Sequence, residues 1–232
     1  PMALEVPVCV VPDASEALGQ ICQALAGYPC RSLKVIGVTG TNGKTTTTAL
    51  VAHLLSAAGL NATTAGNIGR PVTDLAMSDE SYQWLSLEVS SFQLHDSPNF
   101  APEIGILTNL APDHLDRYPS ADAYYADKRL LFRNASGEDV WVLNADDELV
   151  LKLATGAAGR GVLFSLDKPA DAWYDRASRT LRLGNETLVQ RSELHLLGDH
   201  NVANALAGAR AVPEAGVPAT APGGRLRAVP PL

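Results

Sequence analysis

The sequence predicts an α/β fold: a mostly parallel sheet with helices on both faces, of the phosphate-loop type, with a small antiparallel sheet beside it. Three observations predict it. Short β-branched runs alternate with stretches of helical periodicity over much of the chain. A glycine-rich turn ending in Lys-Thr sits between one such run and one such stretch. Beyond Gly161 the texture changes to brief alternating pieces broken by turn residues.

The first strand is read at 34–39 and its helix at 45–58. Strands follow at 84–89 and 104–109, then a helix at 121–133 and a strand at 140–144. Strands alternating with helices in this way belong to a parallel sheet, because parallel neighbours need a crossover between them. The pieces at 172–174, 180–183 and 187–189 are separated by 175–178 and by Gly184-Asn185, and read as an antiparallel meander. A helix fits 201–212, and Pro213 closes it because proline has no N–H to continue the ladder. The last twenty residues hold five prolines and the pair Gly223-Gly224, a linker composition. The chain therefore divides into a lead-in at 1–32, a central domain at 33–212, and a Pro/Gly-rich tail at 213–232 that ends where another domain would start.

A chain of 232 residues, 46% of them hydrophobic, can bury a proper core. Its formal charge of −7 argues against nucleic acid or an anionic membrane as partner, since phosphate surfaces normally meet a basic face. Cys9, Cys22 and Cys30 show no zinc-knuckle or redox spacing and read as ordinary reduced thiols. No apolar run reaches the length of a membrane span and no signal-peptide pattern opens the chain, so a soluble, cytoplasmic protein is expected.

The segment Gly37-Val38-Thr39-Gly40-Thr41-Asn42-Gly43-Lys44-Thr45-Thr46 carries the most chemistry. Glycines let backbone N–H groups turn in around phosphate oxygens, the next helix offers its positive end, Lys44 supplies a cation and Thr45 a hydroxyl for magnesium. The general phosphate-loop pattern wants glycine where Val38 stands. Glu88 closes the strand at 84–89 and so falls at the carboxyl edge of the sheet, where open α/β sheets bind ligands. Beside a phosphate loop its carboxylate suits Mg²⁺; alone, a strand-end acid is more commonly a surface group. The strand at 104–109 runs into Asp113-His114-Leu115-Asp116, where His114 suits a metal ligand with a carboxylate free to fix its tautomer. Tyr124 and Lys128 share a helix face at i, i+4, and spacing alone gives such a lysine no role beyond solvation. Asn144 to Asp147 and Asp199-His200-Asn201 with Asn204 read first as caps and turns.

Taken together, these motifs resemble the Mur ligase family, which also includes folylpolyglutamate synthases. The family's shortened phosphate loop has the form seen here as Thr39-Gly40-Thr41-Asn42-Gly43-Lys44-Thr45, which accounts for Val38. Gly66-Asn67-Ile68-Gly69, Leu87-Glu88-Val89-Ser90-Ser91-Phe92-Gln93-Leu94 and Asp113-His114-Leu115-Asp116-Arg117-Tyr118-Pro119 look most similar to the branch that adds D-glutamate to UDP-N-acetylmuramoyl-L-alanine. The lead-in looks more similar to the branch that adds the third peptide residue. The resemblance runs from about Leu33 to Arg225 and implies an ATP-dependent carboxylate-amine ligase with Mg²⁺, working through an acyl phosphate on a UDP-muramoyl peptide precursor and an amino acid. It implies that Gly40, Thr41, Asn42, Gly43, Lys44, Thr45 and Thr46 bind the nucleotide phosphates, with Asn201 and Asn204 on the adenine side and Arg225 on the phosphates. Asn67 and Ser90 would meet the muramoyl substrate. Thr45 and Glu88 would bind metal, His114 would support a second, and Lys128 matches the lysine that the family carbamylates into a further ligand. Lys44, Glu88, His114 and Lys128 form the implied catalytic set. The family's UDP-binding N-terminal and amino-acid-binding C-terminal domains have no counterpart in these residues, and Arg227 stands where an acidic residue is common. Two alternatives stay open: another ligase of the family, adding a dibasic amino acid or a glutamate to folate, and a nucleotide-binding module without turnover.

Overall fold

The protein's structure, a computed structural model, describes residues 33–229. The lead-in at 1–32, with its three cysteines, and residues 230–232 lie outside the described residues. Nine strands form one sheet in the order β2-β3-β1-β4-β5-β6-β7-β8-β9. β1 (Lys34–Thr39), β2 (Ala62–Gly66), β3 (Trp84–Glu88), β4 (Ile104–Leu107), β5 (Val140–Asn144), β6 (Arg160–Ser165) and β7 (Ala172–Asp175) run parallel to one another; β8 (Thr180–Leu183) pairs antiparallel with β7, and β9 (Glu186–Gln190) antiparallel with β8. The antiparallel meander is present, joined edge to edge with the main sheet through the β6–β7 pair rather than standing beside it.

Helices cover both faces, as parallel strands buried on two sides require. Ile36, Val38, Ile104, Ile106, Val142 and Val162 point to the face closed by α1 (Lys44–Ala57) and, further along the chain, by the long late helix. On the opposite face Leu107, Trp141 and Leu143 pack under three helices: α3 (Ser91–Asp96), α4 (Ala121–Arg129) and α5 (Glu148–Ala154). Short α2 (Val72–Ala76) sets Leu75 over Ala65 and Leu85 near the β2 edge. The late helix is α6 (Asp199–Ala211), whose run of alanines and Gly208 lets its backbone approach Leu50 and Val51 of α1.

Several elements differ from the sequence reading. β2 and α2 lack the apolar density that periodicity detects, because they sit at the sheet edge with small or polar residues. The helix expected over 121–133 tightens into a 3₁₀ turn at Leu130–Phe132. The tail reads as linker, yet after Pro213 the chain makes α7 (Ala221–Leu226), burying Val217, Leu226 and Val229 against β9, α1 and α6. Composition misleads there because Gly223 is an adaptation to packing: a side chain at that position would run into the Leu188 backbone. Arg227, where an acid was expected, pairs with Glu193 at 2.8 Å.

β1 is the centre of the topology. The chain moves from it to β2 and β3 on one side, then to β4, β5 and β6 on the other, so a crevice opens at the carboxyl ends of β1, β3 and β4. Val38 pairs with Glu88 of β3 and Thr39 with Leu107 of β4, which sets the register of everything at that edge.

Among the described residues no helix is long and apolar enough to cross a membrane.

Candidate functional site

The loop 40–43 leaves β1 at this crevice and enters α1. Gly40 has φ +141° and Gly43 φ +80°, and a side chain at either would strike Thr108 Oγ1 or the Asn204 amide, so both backbone shape and space demand glycine. Gly43 is the N-cap of α1 without any side-chain cap, which leaves the first-turn N–H groups facing the crevice. The loop is braced from β4: Asn42 N–H donates to Asn109 Oδ1 (2.9 Å), and Asn109 Nδ2 (3.0 Å) and Thr108 Oγ1 (2.7 Å) donate to Asn42 O. Thr41 is tied to Ala111 in both directions, by its own hydroxyl (3.1 Å) and by Ala111 N–H (2.9 Å).

Lys44 reaches back to Thr41 O at 2.8 Å. Burial lowers its pKa, while the charges of Glu88 and Asp113 work against that shift. Glu88 is not the surface acid its position suggested: it is 2% exposed, accepting from Thr45 Oγ1 (2.8 Å) on one oxygen and from Asn67 Nδ2 (3.1 Å) on the other. Thr45 and Glu88 thus present two hard oxygens at the mouth of the loop. That donor set fits Mg²⁺, which is held by one or two protein oxygens plus phosphate oxygens and water. Among the described residues no three His, Cys, Asp or Glu side chains gather into a metal site.

Lys128 is far from the solvated lysine that helix spacing alone would suggest. Its side chain, on α4, is 2% exposed, donating to Thr39 Oγ1 at 3.0 Å and lying 5.4 Å from the Tyr124 ring. Burial, aided by the positive charge of Lys44, lowers its pKa to about 7, with Asp113 and Glu88 opposing. Tyr124, buried beneath it, has its OH 3.3 Å from Thr41 Oγ1 and so couples α4 to the loop.

His114 has a left-handed backbone (φ +53°) and packs its ring on Phe92 and Tyr124. Its Nε2 lies 3.7 Å from Asp113 Oδ2, an ion-pair distance longer than a hydrogen bond, and Asp116 is exposed. Ser90 caps α3, accepting from Gln93 N–H (3.2 Å) in a capping box. Asn201 and Asn204 are not caps: Gly198 takes that position, Asn201 donates to Leu197 O, and Asn204 accepts from Thr47 Oγ1 at 3.3 Å beside Gly43. Arg225 is half-buried with Nη1 unpaired, and no hydrogen bond links it to the loop.

Beside Gly43 a cleft of about 380 Å³ is lined by Asn109, Asn144, Phe164, His200 and Asn204. Of its lining residues Asn42, Gly43 and Asn204 carried a nucleotide role in the sequence reading, while Asn144 and His200 were read first as caps and turns. The others could have been suspected, because Asn109 and Asn144 follow or end strands at the same edge and His200 precedes Asn201. A cleft of about 440 Å³ between α4 and the loop before β6, lined by Arg129 and Arg133, shares no residue with the phosphate loop.

A glycine loop leading from the central strand of a mostly parallel sheet into a helix, with a hydroxyl and a carboxylate at its mouth, defines the class: an α/β phosphate-loop domain. The chain belongs to the Mur ligase family; the profile of the Mur ligase middle domain matches residues 38–212. It is 38% identical over 198 residues to a UDP-N-acetylmuramoylalanine--D-glutamate ligase of Streptococcus equi subsp. zooepidemicus, covering 85% of this chain and 44% of that protein. It is 37% identical over 231 residues to the ligase of the same name from Pelotomaculum thermopropionicum, covering 98% of this chain and 50% of that protein. The chain thus spans about half the length of the curated relatives it matches. Among solved structures, a UDP-N-acetylmuramoyl-L-alanyl-D-glutamate--2,6-diaminopimelate ligase aligns with a TM-score of 0.74 at 26% identity, over 99% of this chain and 53% of that one. MurF from Acinetobacter baumannii shares the fold, with a TM-score of 0.77 at 22% identity over 99% of this chain and 53% of that one.

Proposed function

We propose that this chain is the ATP-binding catalytic domain of a ligase that phosphorylates a carboxylate and joins it to an amine, adding D-glutamate to UDP-N-acetylmuramoyl-L-alanine. The observation that carries the reading is the convergence of Lys44, the Thr45–Glu88 oxygen pair and the buried Lys128 on one end of β1. The relatives named for this reaction support the choice of substrate.

Phosphoryl transfer asks for positioning and charge neutralisation more than for a protein nucleophile. Loop N–H groups of 40–46 would cradle the β- and γ-phosphates while Lys44 neutralises the γ-phosphate. The nucleoside would lie in the cleft by Asn109, His200 and Asn204, with Asn201 behind Asn204 and Arg225 approaching the phosphates. Mg²⁺, held by Thr45 and Glu88, supplies Lewis-acid stabilisation of the phosphate charge when bound. Lys128 as a carbamate, with His114, would offer an anionic site for a second ion. Asn67 and Ser90 flank Glu88 from β2 and α3, on the side where the muramoyl carboxylate would enter; the bound carboxylate would attack the γ-phosphorus as the bond to ADP breaks, giving an acyl phosphate, and the amine would then attack the acyl carbon, losing a proton as phosphate leaves.

The test is a ligation assay with ATP, UDP-muramoyl-alanine and a panel of amino acids, run on the chain alone and joined to flanking domains, with products weighed by mass spectrometry. D-glutamate incorporation by the joined protein is expected. Incorporation of a dibasic amino acid instead would favour the diaminopimelate-adding ligase found among the structural neighbours. ATP binding without ligation in either form would favour a nucleotide-binding module.

A further inference from the structure

We infer that Thr39 is a positioning residue for Lys128: its hydroxyl holds the one N–H that a lysine carbamate retains, and so fixes the plane in which the carbamate oxygens lie. The inference rests on the carbamate reading of Lys128. Thr39 ends β1 and is fully buried. Its hydroxyl proton is committed to Val89 O at 2.7 Å, so toward Lys128, 3.0 Å away, the oxygen can only accept. Its own carbonyl accepts from Thr108 N–H (3.0 Å), and Val89 N–H bonds to Val38 O (2.9 Å), so acceptor and counter-acceptor are both tied to the sheet. A rigid acceptor is therefore fixed in direction before Lys128 meets it. Among the described residues Thr39 is the only hydrogen-bond partner of Lys128 Nζ.

Carbamylation makes this direction matter. The lone pair of the neutral amine attacks the carbon of CO₂, a C–N bond forms, one C=O bond pair moves onto oxygen, and a nitrogen proton leaves to water. The product nitrogen is planar and keeps a single N–H. Donated to Thr39, that N–H sets the plane of the whole group, with one carbamate oxygen syn to the N–H and the other on the far side of the nitrogen from Thr39. Without the acceptor, the buried N–H is unpaired in the product and the group can rotate.

The experiment uses the whole chain in ¹³C-bicarbonate, reading the carbamate resonance by ¹³C NMR with K128A as the blank, alongside ATP affinity by calorimetry. T39V keeps the β-branched shape and loses the hydroxyl; it is expected to need roughly 3–10-fold more CO₂ for half occupancy, the worth of one hydrogen bond, with ATP affinity measured beside it to show whether the loop itself has moved. T39S is expected to restore the wild-type titration. Should T39V melt abnormally, T39A against T39S compares two side chains differing only by the hydroxyl. A wild-type titration in T39V, or equal ones in T39A and T39S, overturns the role of Thr39 while leaving the carbamate in place. No carbamate resonance in the wild type overturns both.

Discussion

Lys128 shows how far burial can change a side chain's chemistry. Spacing on α4 gave it nothing beyond a solvated ammonium, whereas the fold removes nearly all its water and sets Lys44 nearby. Its folded pKa of about 7 lies below the roughly 10.4 of an unfolded lysine. Between those values the unfolded chain binds the extra proton, so stability rises with pH across that window; below it the buried charge opposes folding in full. In CO₂-free buffer with chelator, Lys128→Met is therefore expected to melt above wild type by most near pH 6, with the advantage shrinking toward pH 9. An advantage constant across that range would reject the buried-charge account. Lys44 is tested by binding. Lys44→Ala should weaken ATP by about 1.5–3 kcal/mol, the worth of a charge-assisted hydrogen bond, and calorimetry giving equal affinities would reject its place on the phosphates.

At the scale of elements, the turn from β1 into α1 is set by two glycines and braced from β4. Gly43→Ala would place a side chain at φ +80° against Asn204, costing about 1–2 kcal/mol in backbone alone. Urea unfolding should report that loss together with weaker nucleotide binding, since Asn204 must move; unchanged stability would mean that the turn relaxes. The strand, loop and helix were legible in the sequence because each leaves a local trace: a β-branched run, paired glycines, a capped periodic stretch. α7 was not, since Pro222, Gly223 and Gly224 look like linker until the close approach to Leu188 is seen. Leu226, fully buried on that helix, provides the check. Leu226→Ala is expected to destabilise by about 2–5 kcal/mol, as for a core leucine; a linker leucine would change stability by less than about 0.5 kcal/mol.

For the whole molecule, we expect the chain to fold and to bind nucleotide, because one continuous nine-stranded sheet carries the loop and both flanking layers. Ligation by the chain alone should be slow or absent. Effective molarity arises only when acyl phosphate and amine are held in near-attack geometry, and that contribution of roughly 7–11 kcal/mol needs an amino-acid site that no residue here has been assigned. Peptide product formed by the isolated chain at about 1 s⁻¹ or faster, a rate typical of enzymes, would show that the amino-acid site lies within these residues. The sequence by itself determined the fold class, the phosphate loop and the placement of the motifs at the strand ends, because those depend on local periodicity and on residues adjacent in the chain. It could not determine that Glu88 is held by Thr45 and Asn67, that Lys128 loses its water, that Thr39 is its partner, or that the His114 ring packs on Phe92 and Tyr124. Those facts join β1, β2, β3, α1 and α4 across tens of residues. Only tertiary packing decides which polar groups meet there and how much water is left to them.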